Sequence, residues 1–221
     1  MNEIEKTGQA EFDFAAPNPA QKEPSALPPF LRQEGFYFVA LGGAEKVGMN
    51  MYAYISDGRI IVVDAGYDFL NDDFPGMELG LADPAWLESY RDCIDAMFIT
   101  HSHEDHFGAI AHIWPRLRCP VYATDFTIGH ILPRLREYKL ENEVELISVN
   151  QNPVVKLPDF EVEYVPVVHS LPENSALRIK TKYGTVFHAT DWRFDDCHID
   201  FMKTSYDRLK QVGEQGVDLY V

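Results

Sequence analysis

The chain has 221 residues, of which 35 are acidic and 19 basic, giving a formal net charge of −16. This length allows one sizeable core, or at most one domain and a piece of another, and a hydrophobic content of 46% argues against disorder throughout. Such an acidic chain is not expected to bind nucleic acid through its whole surface, because phosphate binding needs clustered Lys and Arg. A local basic groove remains compatible with it.

The cysteines and the N-terminus favour a reducing cytoplasm. Cys93, Cys119 and Cys197 are odd in number and far apart, and no C-x-x-C pair occurs, so neither a disulfide framework nor a thiolate zinc site is predicted. The polar start MNEIEKTGQA lacks the apolar segment of a secretory signal, and no run approaches the length of a membrane span. We therefore expect a cytoplasmic protein that does not engage a membrane.

The predicted elements begin after a proline-rich stretch. Residues 1–30 are predicted to be a flexible tail, with ordered structure from near Phe36. FYFVAL reads as a strand, and MYAYI and RIIVVDAG as two more, joined by a turn at Ser56, Asp57 and Gly58. The apolar run IDAMFIT predicts a further strand, which ends at a cluster of histidines.

Helices and strands alternate in the second half. The spacing of Phe107, Ile110, Trp114 and Leu117 predicts a helix from near Asp105, kinked at Pro115. The remaining predicted elements are a strand in CPVYAT, a helix in DFTIGHILPRLREY, strands near 144–148, 153–157 and 160–168, a hairpin turning at Tyr183-Gly184, a helix around 204–212 and a strand in VDLYV. This order predicts a layered α/β sandwich. Because the chain stops inside a strand-like run, we expect it to be a piece of something longer.

The segment ITHSHEDHFGAI carries the main chemical signal. His101, His103, Asp105 and His106 are ligand types for Zn²⁺ or Mn²⁺. Two histidines two residues apart point the same way on an extended segment, whereas Asp105 and His106 lie where a helix begins and can face a second point. One loop could thus seed two metal positions, typically ~3.5–4 Å apart, that hold a hydroxide between them. The alternative is a polar surface loop, which the full spacing argues against.

Candidate ligands also follow two later strands. His169 and Asp191 each come at a strand end, where a capping or turn residue is the alternative, and together with the cluster they favour ligand roles. Asp64 closes IIVVDAG and could either orient a ligand histidine or form a turn. The other histidines are predicted to be structural or surface residues: His112, His130, His188 and His198.

Together these motifs resemble the metallo-β-lactamase superfamily. The segments ALGGAEKVGMNMYAY, VVDAGYDF, FITHSHEDHFGAI and VVHSLPENSALRIKTKYGTVFHATDWRFD resemble, over about residues 36–221, the N-terminal part of the ribonuclease J family of β-CASP ribonucleases. The G-G segment with Asn50-Met51 and H-S-x-P at 169–172 narrow the resemblance to that family. It implies an αβ/βα sandwich, here its N-terminal part at residues 31–221, with the β-CASP and C-terminal domains outside this chain.

The resemblance also implies a ligand set. His101, His103 and His169 would hold one metal, Asp105 and His106 a second, with Asp191 bridging and Asp64 supporting. The metals would be two Zn²⁺, with Mn²⁺ or Mg²⁺ possible, and a further ligand histidine would come from C-terminal strands outside the chain. The chain departs from the usual family pattern at three places, which bear on the shape of the site entrance. It has Glu45-Lys46 where the family usually has Gly-Glu, Met49 where the family has Lys, and ATDWR where the family has T-G-D-F-K.

The implied function is hydrolysis of single-stranded RNA during RNA processing and decay. A metal-bound hydroxide would attack phosphorus, oriented by Asp105, in a 5′-to-3′ exonuclease, an endonuclease or both, and the full-length protein would form a homo-oligomer. The alternatives are a thioester or lactone hydrolase of the same fold, which the G-G and H-S-x-P segments argue against, and a non-catalytic partner subunit, which six retained ligands argue against. Residues 1–221 alone are expected to bind at most one metal tightly, to have little nuclease activity and to self-associate.

Overall fold

The computed structural model describes residue 28 and residues 31–44, 47–70, 75–193, 195 and 204–221. The predicted tail lies almost wholly outside the described residues, as do the Glu45-Lys46 pair, Cys197 and His198. The described residues form two sheets packed face to face, with helices on both outer faces. The predicted αβ/βα sandwich is confirmed in this arrangement.

The first sheet holds most of the predicted N-terminal strands. Its order is β1-β2-β3-β6-β7-β8, antiparallel from β1 to β3 and parallel from β3 to β8. Every residue of β2 and nearly every residue of β3 and β6 is buried, because both faces of this sheet are covered. The strands are β1 Phe36–Gly42, β2 Met51–Ser56, β3 Arg59–Val63, β6 Ile94–Phe98, β7 Val121–Ala123 and β8 Leu146–Ser148.

The second sheet has the order β13-β12-β11-β10-β9 and is antiparallel except for the parallel pair of β12 and β13. Its strands are β9 Val154–Lys156, β10 Glu161–Pro166, β11 Ser175–Thr181, β12 Gly184–His188 and β13 Leu219–Tyr220. A separate two-stranded ribbon, which the sequence pattern did not predict, is formed by β4 Tyr67–Phe69 and β5 Leu79–Leu81.

The helices are α1 Ala85–Glu88, α2 Glu104–Phe107, α3 Ile110–Leu117, α4 Asp125–Glu137 and α5 Tyr206–Gln215, with a 3₁₀ turn at Arg91–Cys93. The prediction of one helix kinked at Pro115 is wrong, because the chain breaks between α2 and α3 and Pro115 lies inside α3. At the break, the Ala109 N–H donates to the carbonyl of Ala65 at 2.9 Å. The carbonyl of Asp105 accepts instead from Asn50, so the intrahelical bond that would join α2 to α3 is not made.

The core has three apolar layers. The middle layer joins the two sheets through residues such as Tyr54, Phe98 and Leu177. The two outer layers pack the first sheet against α1, α3 and α4 and the second sheet against α5. Among the described residues, no helix has the length and apolar character needed to cross a membrane.

Candidate metal centre

The predicted ligands follow the ends of strands that meet at one edge of the sandwich. The loop with His101 and His103 follows β6, the loop with His169 follows β10, and Asp191 comes three residues after β12. The loops are joined directly, since the Ser175 N–H donates to the carbonyl of Thr100 at 3.3 Å. The sheet topology therefore brings together residues that are up to 90 positions apart in the sequence.

Two ligand groups form among the described residues, and they share one carboxylate. The first group is His101, His103, His169 and Asp191, and the second is Asp105, His106 and Asp191; within each group the ligand atoms lie within 4.8 Å of one another. Asp191 Oδ2 lies 3.7 Å from His169 Nε2 and 3.7 Å from His106 Nε2, so a single oxygen faces both groups. The predicted convergence is confirmed, and the ligand roles themselves stay predictions.

The rings of His101 and His103 are each oriented by a hydrogen bond at the ring nitrogen that does not face the other histidine. Thr100 Oγ1 lies 3.0 Å from His101 Nδ1, and Ser170 Oγ lies 3.0 Å from His103 Nε2. When these hydroxyls accept, the opposite nitrogens, His101 Nε2 and His103 Nδ1, face each other at 3.0 Å with bare lone pairs. His169 Nε2 lies 3.1 Å from the same His103 nitrogen. Three imidazole nitrogens that converge in this way suit a cation placed between them.

The spacing of these atoms fits a metal ion. A tetrahedral zinc with bonds of 2.0–2.1 Å to nitrogen separates its ligand atoms by roughly 3.3 Å. The first group has separations of 3.0, 3.1 and 3.7 Å between neighbouring ligand atoms. In the second group, His106 Nε2 lies 3.6 Å from Asp105 Oδ2 and 3.7 Å from Asp191 Oδ2. Both groups can therefore accept an ion with only small side-chain adjustments.

The three histidines of the first group are held neutral by their surroundings. Burial, followed by the neighbouring imidazoles, lowers the pKa of His101 to about 2. Burial also lowers the pKa of His103 and of His169. Because a metal binds the deprotonated imidazole, these shifts favour the metal-binding form at neutral pH.

The second group carries the opposite bias. Burial lowers the pKa of His106, but the carboxylate of Asp64 and the hydrogen bond to Asp191 outweigh it and raise this pKa to about 10. The hydrogen bond from His106 lowers the pKa of Asp191 to about 2. Without a metal, a proton on His106 therefore supplies positive charge among three carboxylates.

Residues 59–207 match the family model described as "Beta-lactamase superfamily domain". The chain belongs to this superfamily. Its fold and its His/Asp groups together suggest a divalent metal.

Similarity to individual proteins is more specific than the match to the superfamily model. This chain is 39% identical to ribonuclease J of Sinorhizobium meliloti over 190 residues, which are 84% of this chain and 34% of that protein. It is 36% identical to ribonuclease J of Mycolicibacterium smegmatis over 197 residues, or 89% of this chain and 35% of that protein. It thus spans about a third of the length of these relatives. The predicted division into domains inside and outside this chain stays a prediction.

A solved structure supports the fold of this superfamily member. The metallo-β-lactamase fold protein YhfI from Bacillus subtilis matches with a TM-score of 0.53 and 17% sequence identity, covering 74% of this chain and 65% of that one. At this level of identity the likeness shows the fold alone.

Asp64 occupies the position of a supporting acid. Its side chain is 0% exposed, and Oδ2 lies 2.8 Å from His106 Nδ1. Its other oxygen, Oδ1, accepts from the Thr100 N–H at 2.8 Å. Asp64 also adopts a left-handed backbone conformation with φ of 62°, which suits a turn residue. The structure is therefore compatible with both predicted roles of Asp64, as the acid that orients a histidine and as a turn residue. Its action on a bound metal stays a prediction.

Sequence reasoning assigned no role to Asn50, which holds the second group in place. Its backbone N–H and its side-chain amide both donate to the carbonyl of Asp105 at 3.0 Å, and the amide also donates to Asp105 Oδ2 at 3.2 Å. Its Oδ1 accepts from the hydroxyl of Tyr52 at 2.9 Å. The only sequence signal was its place in the G-G segment, which identified a family and gave no contact.

Three of the other histidines lie in the described part of the chain, and none of them belongs to a ligand group. His112 and His130 lie on helices away from the ligand groups, bonded to the Tyr138 hydroxyl and the carbonyl of Phe126. His188 belongs to neither ligand group, but it lines a cavity of about 410 Å³ together with His106 and Asp191. The cavity opens directly beside the second group.

Proposed function

We propose that this chain supplies the metal centre of a ribonuclease that hydrolyses phosphodiester bonds in single-stranded RNA. The observation that carries the proposal is the shared oxygen Asp191 Oδ2, which faces two ligand groups at once. Sites with two adjacent metals are common in nucleases and phosphatases. Similarity to ribonuclease J from two organisms supports RNA as the substrate class.

Two zinc ions are the proposed cofactors, because imidazole nitrogens outnumber carboxylates in the first group. His101, His103 and His169 would hold the first ion, Asp105 and His106 the second, with Asp191 between them. When bound, such a pair lowers the pKa of a coordinated water and neutralises charge that develops on phosphate oxygens.

The chain's own residues position this chemistry. The Thr100 hydroxyl accepts a hydrogen bond from Nδ1–H of His101, and the Asp64 carboxylate accepts one from Nδ1–H of His106, so both rings present Nε2 to the centre. The Asn50 amide donates to Asp105 Oδ2, which lies 3.6 Å from His106 Nε2, so Asn50 holds this carboxylate where it would orient an attacking water. The adjoining cavity of about 410 Å³ has the size of an ordinary small-ligand pocket, and in this proposal it would hold a nucleotide unit of the RNA.

The proposal extends to cellular context. A cytoplasmic location is consistent with the buried thiols of Cys93 and Cys119, which form no disulfide in the described part of the chain. Homo-oligomer formation at full length, and weak metal binding, low activity and self-association of residues 1–221 alone, stay predictions.

The test is RNA cleavage by protein expressed from its complete reading frame. Metal-depleted and zinc-loaded samples would be mixed with a labelled 5′-monophosphorylated single-stranded RNA. We expect cleavage only with metal, and its loss in His103→Ala with an unchanged circular dichroism spectrum. His112→Ala is the matched control, since that histidine contacts Tyr138 on the surface. Intact RNA alongside hydrolysis of a thioester or lactone would favour the small-molecule hydrolase instead.

A further inference from the structure

A buried hydrogen bond joins the two sheets beside the cavity. Tyr54 lies in β2 of the first sheet and is 0% exposed, and His188 ends β12 of the second sheet and is 3% exposed. The Tyr54 hydroxyl lies 2.9 Å from His188 Nδ1. None of the roles assigned to the metal centre uses this pair.

The hydrogen bond fixes the tautomer of the imidazole. Burial raises the pKa of Tyr54 well above its usual value, so the phenol keeps its proton. Burial lowers the pKa of His188 to about 4, so the imidazole is neutral at physiological pH. In the described part of the chain the Tyr54 hydroxyl bonds to no other acceptor, so it donates to Nδ1. A neutral imidazole that accepts at Nδ1 carries its hydrogen on Nε2.

The ring of His188 is held in one orientation. The ring of Tyr52 packs against it edge-on, with centroids 5.0 Å apart. Tyr54 is itself fixed by the rings of Phe36 and Phe38, at centroid distances of 6.0 and 5.2 Å. His188 lines the cavity together with His106 and Asp191, and among the described residues its only hydrogen bond is the one at Nδ1.

We propose that His188 Nε2–H donates a hydrogen bond to an oxygen of the nucleotide bound beside the metal centre, with Tyr54 as the positioning residue that fixes this tautomer. The inference rests on the proposed function, because it takes the cavity to hold part of the RNA. A fixed neutral donor recognises an acceptor oxygen without adding charge, which separates this role from those of the metal ligands. The acceptor is either a phosphate oxygen or the ribose 2′-hydroxyl.

The test compares two substitutions of nearly equal shape. His188→Gln keeps an N–H donor, whereas His188→Met removes it. Binding of adenosine monophosphate and of its 2′-deoxy analogue to the zinc-loaded full-length protein would be measured by calorimetry, beside RNA cleavage and zinc content. We expect His188→Met to weaken binding about 10- to 100-fold and His188→Gln to stay within about 5-fold of wild type, with zinc content unchanged in both. Equal losses with both nucleotides would assign a phosphate oxygen, and a loss with the ribonucleotide alone would assign the 2′-hydroxyl.

Tyr54 has its own readout. Nitrogen-15 spectra of the wild type should show His188 protonated at Nε2, and Tyr54→Phe should shift population to the Nδ1-protonated form while weakening nucleotide binding. Tyr164→Phe is the control, because this buried hydroxyl bonds to the carbonyls of Ile99 and Tyr122, and its loss should leave the tautomer unchanged.

The outcomes separate the two claims. A wild type that fails to cleave RNA would refute the proposed function. Equal nucleotide affinity of the Gln and Met variants, an Nδ1-protonated His188 in the wild type, no binding of adenosine monophosphate by the wild type, or loss of zinc in His188→Met would each overturn the role of His188.

Discussion

Gly66→Ala offers the sharpest test of how the second ligand group is held. A Cβ at Gly66 would lie 1.6 Å from the carbonyl oxygen of Asp105 and 2.7 Å from the backbone N of His106. Cβ contacts essentially never fall below 3.0 Å, and the opposing atoms are backbone, so the Asp105 backbone would have to retreat by at least about 1.4 Å. The substitution thus acts on the backbone that carries two ligands.

The magnitude follows from what this retreat breaks. Backbone hydrogen bonds join Gly66 N to the carbonyl of Asn50 at 3.0 Å, Ala65 N to that of His106 at 2.7 Å and Asn50 N to that of Asp105 at 3.0 Å. Overpacking costs about 1–3 kcal/mol, and each strained hydrogen bond adds about 1 kcal/mol. With three such bonds, we expect a loss of about 4–6 kcal/mol in the free energy of unfolding. A retreat of 1.4 Å also far exceeds the ±0.2 Å tolerance of metal–ligand distances, so zinc affinity should fall more than about 100-fold.

The assay is urea unfolding together with zinc titration against a chromophoric chelator. Gly129→Ala is the matched control, because a Cβ there meets nothing within 4 Å on α4. This control should bind zinc normally and gain about 0.5–1 kcal/mol of stability, since Ala favours the helix. Wild-type zinc affinity and an unchanged unfolding midpoint in Gly66→Ala would refute the reasoning.

Three further predictions concern the acid and the proton in this group. Asp64→Asn should turn an amide N–H towards His106 Nδ1, so that the imidazole hydrogen moves to Nε2, the nitrogen that would bind zinc. Zinc affinity should then fall about 10- to 100-fold while the protein stays folded. Unchanged affinity in the chelator competition would contradict this. In the metal-free protein, protonated His106 should stabilise the fold fully below pH 6.5, and this stabilisation should be lost as the pH rises to about 10. Melting temperatures measured across that pH range would check this, and those of the zinc-bound protein should not change with pH. Zinc binding at pH 7.5 should release about one proton from His106, and calorimetric heats that do not vary with the ionisation enthalpy of the buffer would argue against it.

The sandwich was predictable because the burial of its strands and helices produces recognisable patterns of apolar residues in the sequence. Strands buried on both faces, such as β2 and β6, read as continuous apolar runs, and the helix α4 shows a Thr124 cap and a length typical of helices. The break between α2 and α3 was not predictable. It depends on a bond from Ala109 to Ala65, 44 residues away in the chain, which competes with a purely local helical pattern. The ribbon of β4 and β5 has only three residues per strand and leaves too short a pattern to detect.

The candidate site divides along the same line. The ligands were predictable because strand ends converge at one edge of a sheet, and the types and spacing of His101, His103 and Asp105 carried the chemistry. The residues that orient them were not, because Asn50 reaches Asp105 across 55 positions and Ser170 reaches His103 across 67. A serine or an asparagine has many ordinary uses, and only the tertiary fold shows which ring it fixes.

Two strained residues show how firmly this edge is fixed. Asp64 and Thr190 both have left-handed backbones, with φ of 62° and 54°, and for β-branched Thr190 this conformation costs about 1–3 kcal/mol. Their side chains meet at one hydroxyl, since Thr190 donates to Thr100 Oγ1 at 3.0 Å and Thr100 in turn donates to Asp64. Thr190 stands where the resembling family has glycine, so this chain keeps the bend without the residue that makes it easy. The hydrogen bond that a glycine could not make helps to offset the strain, and it ties the loop of Asp191 to the hydroxyl that orients His101.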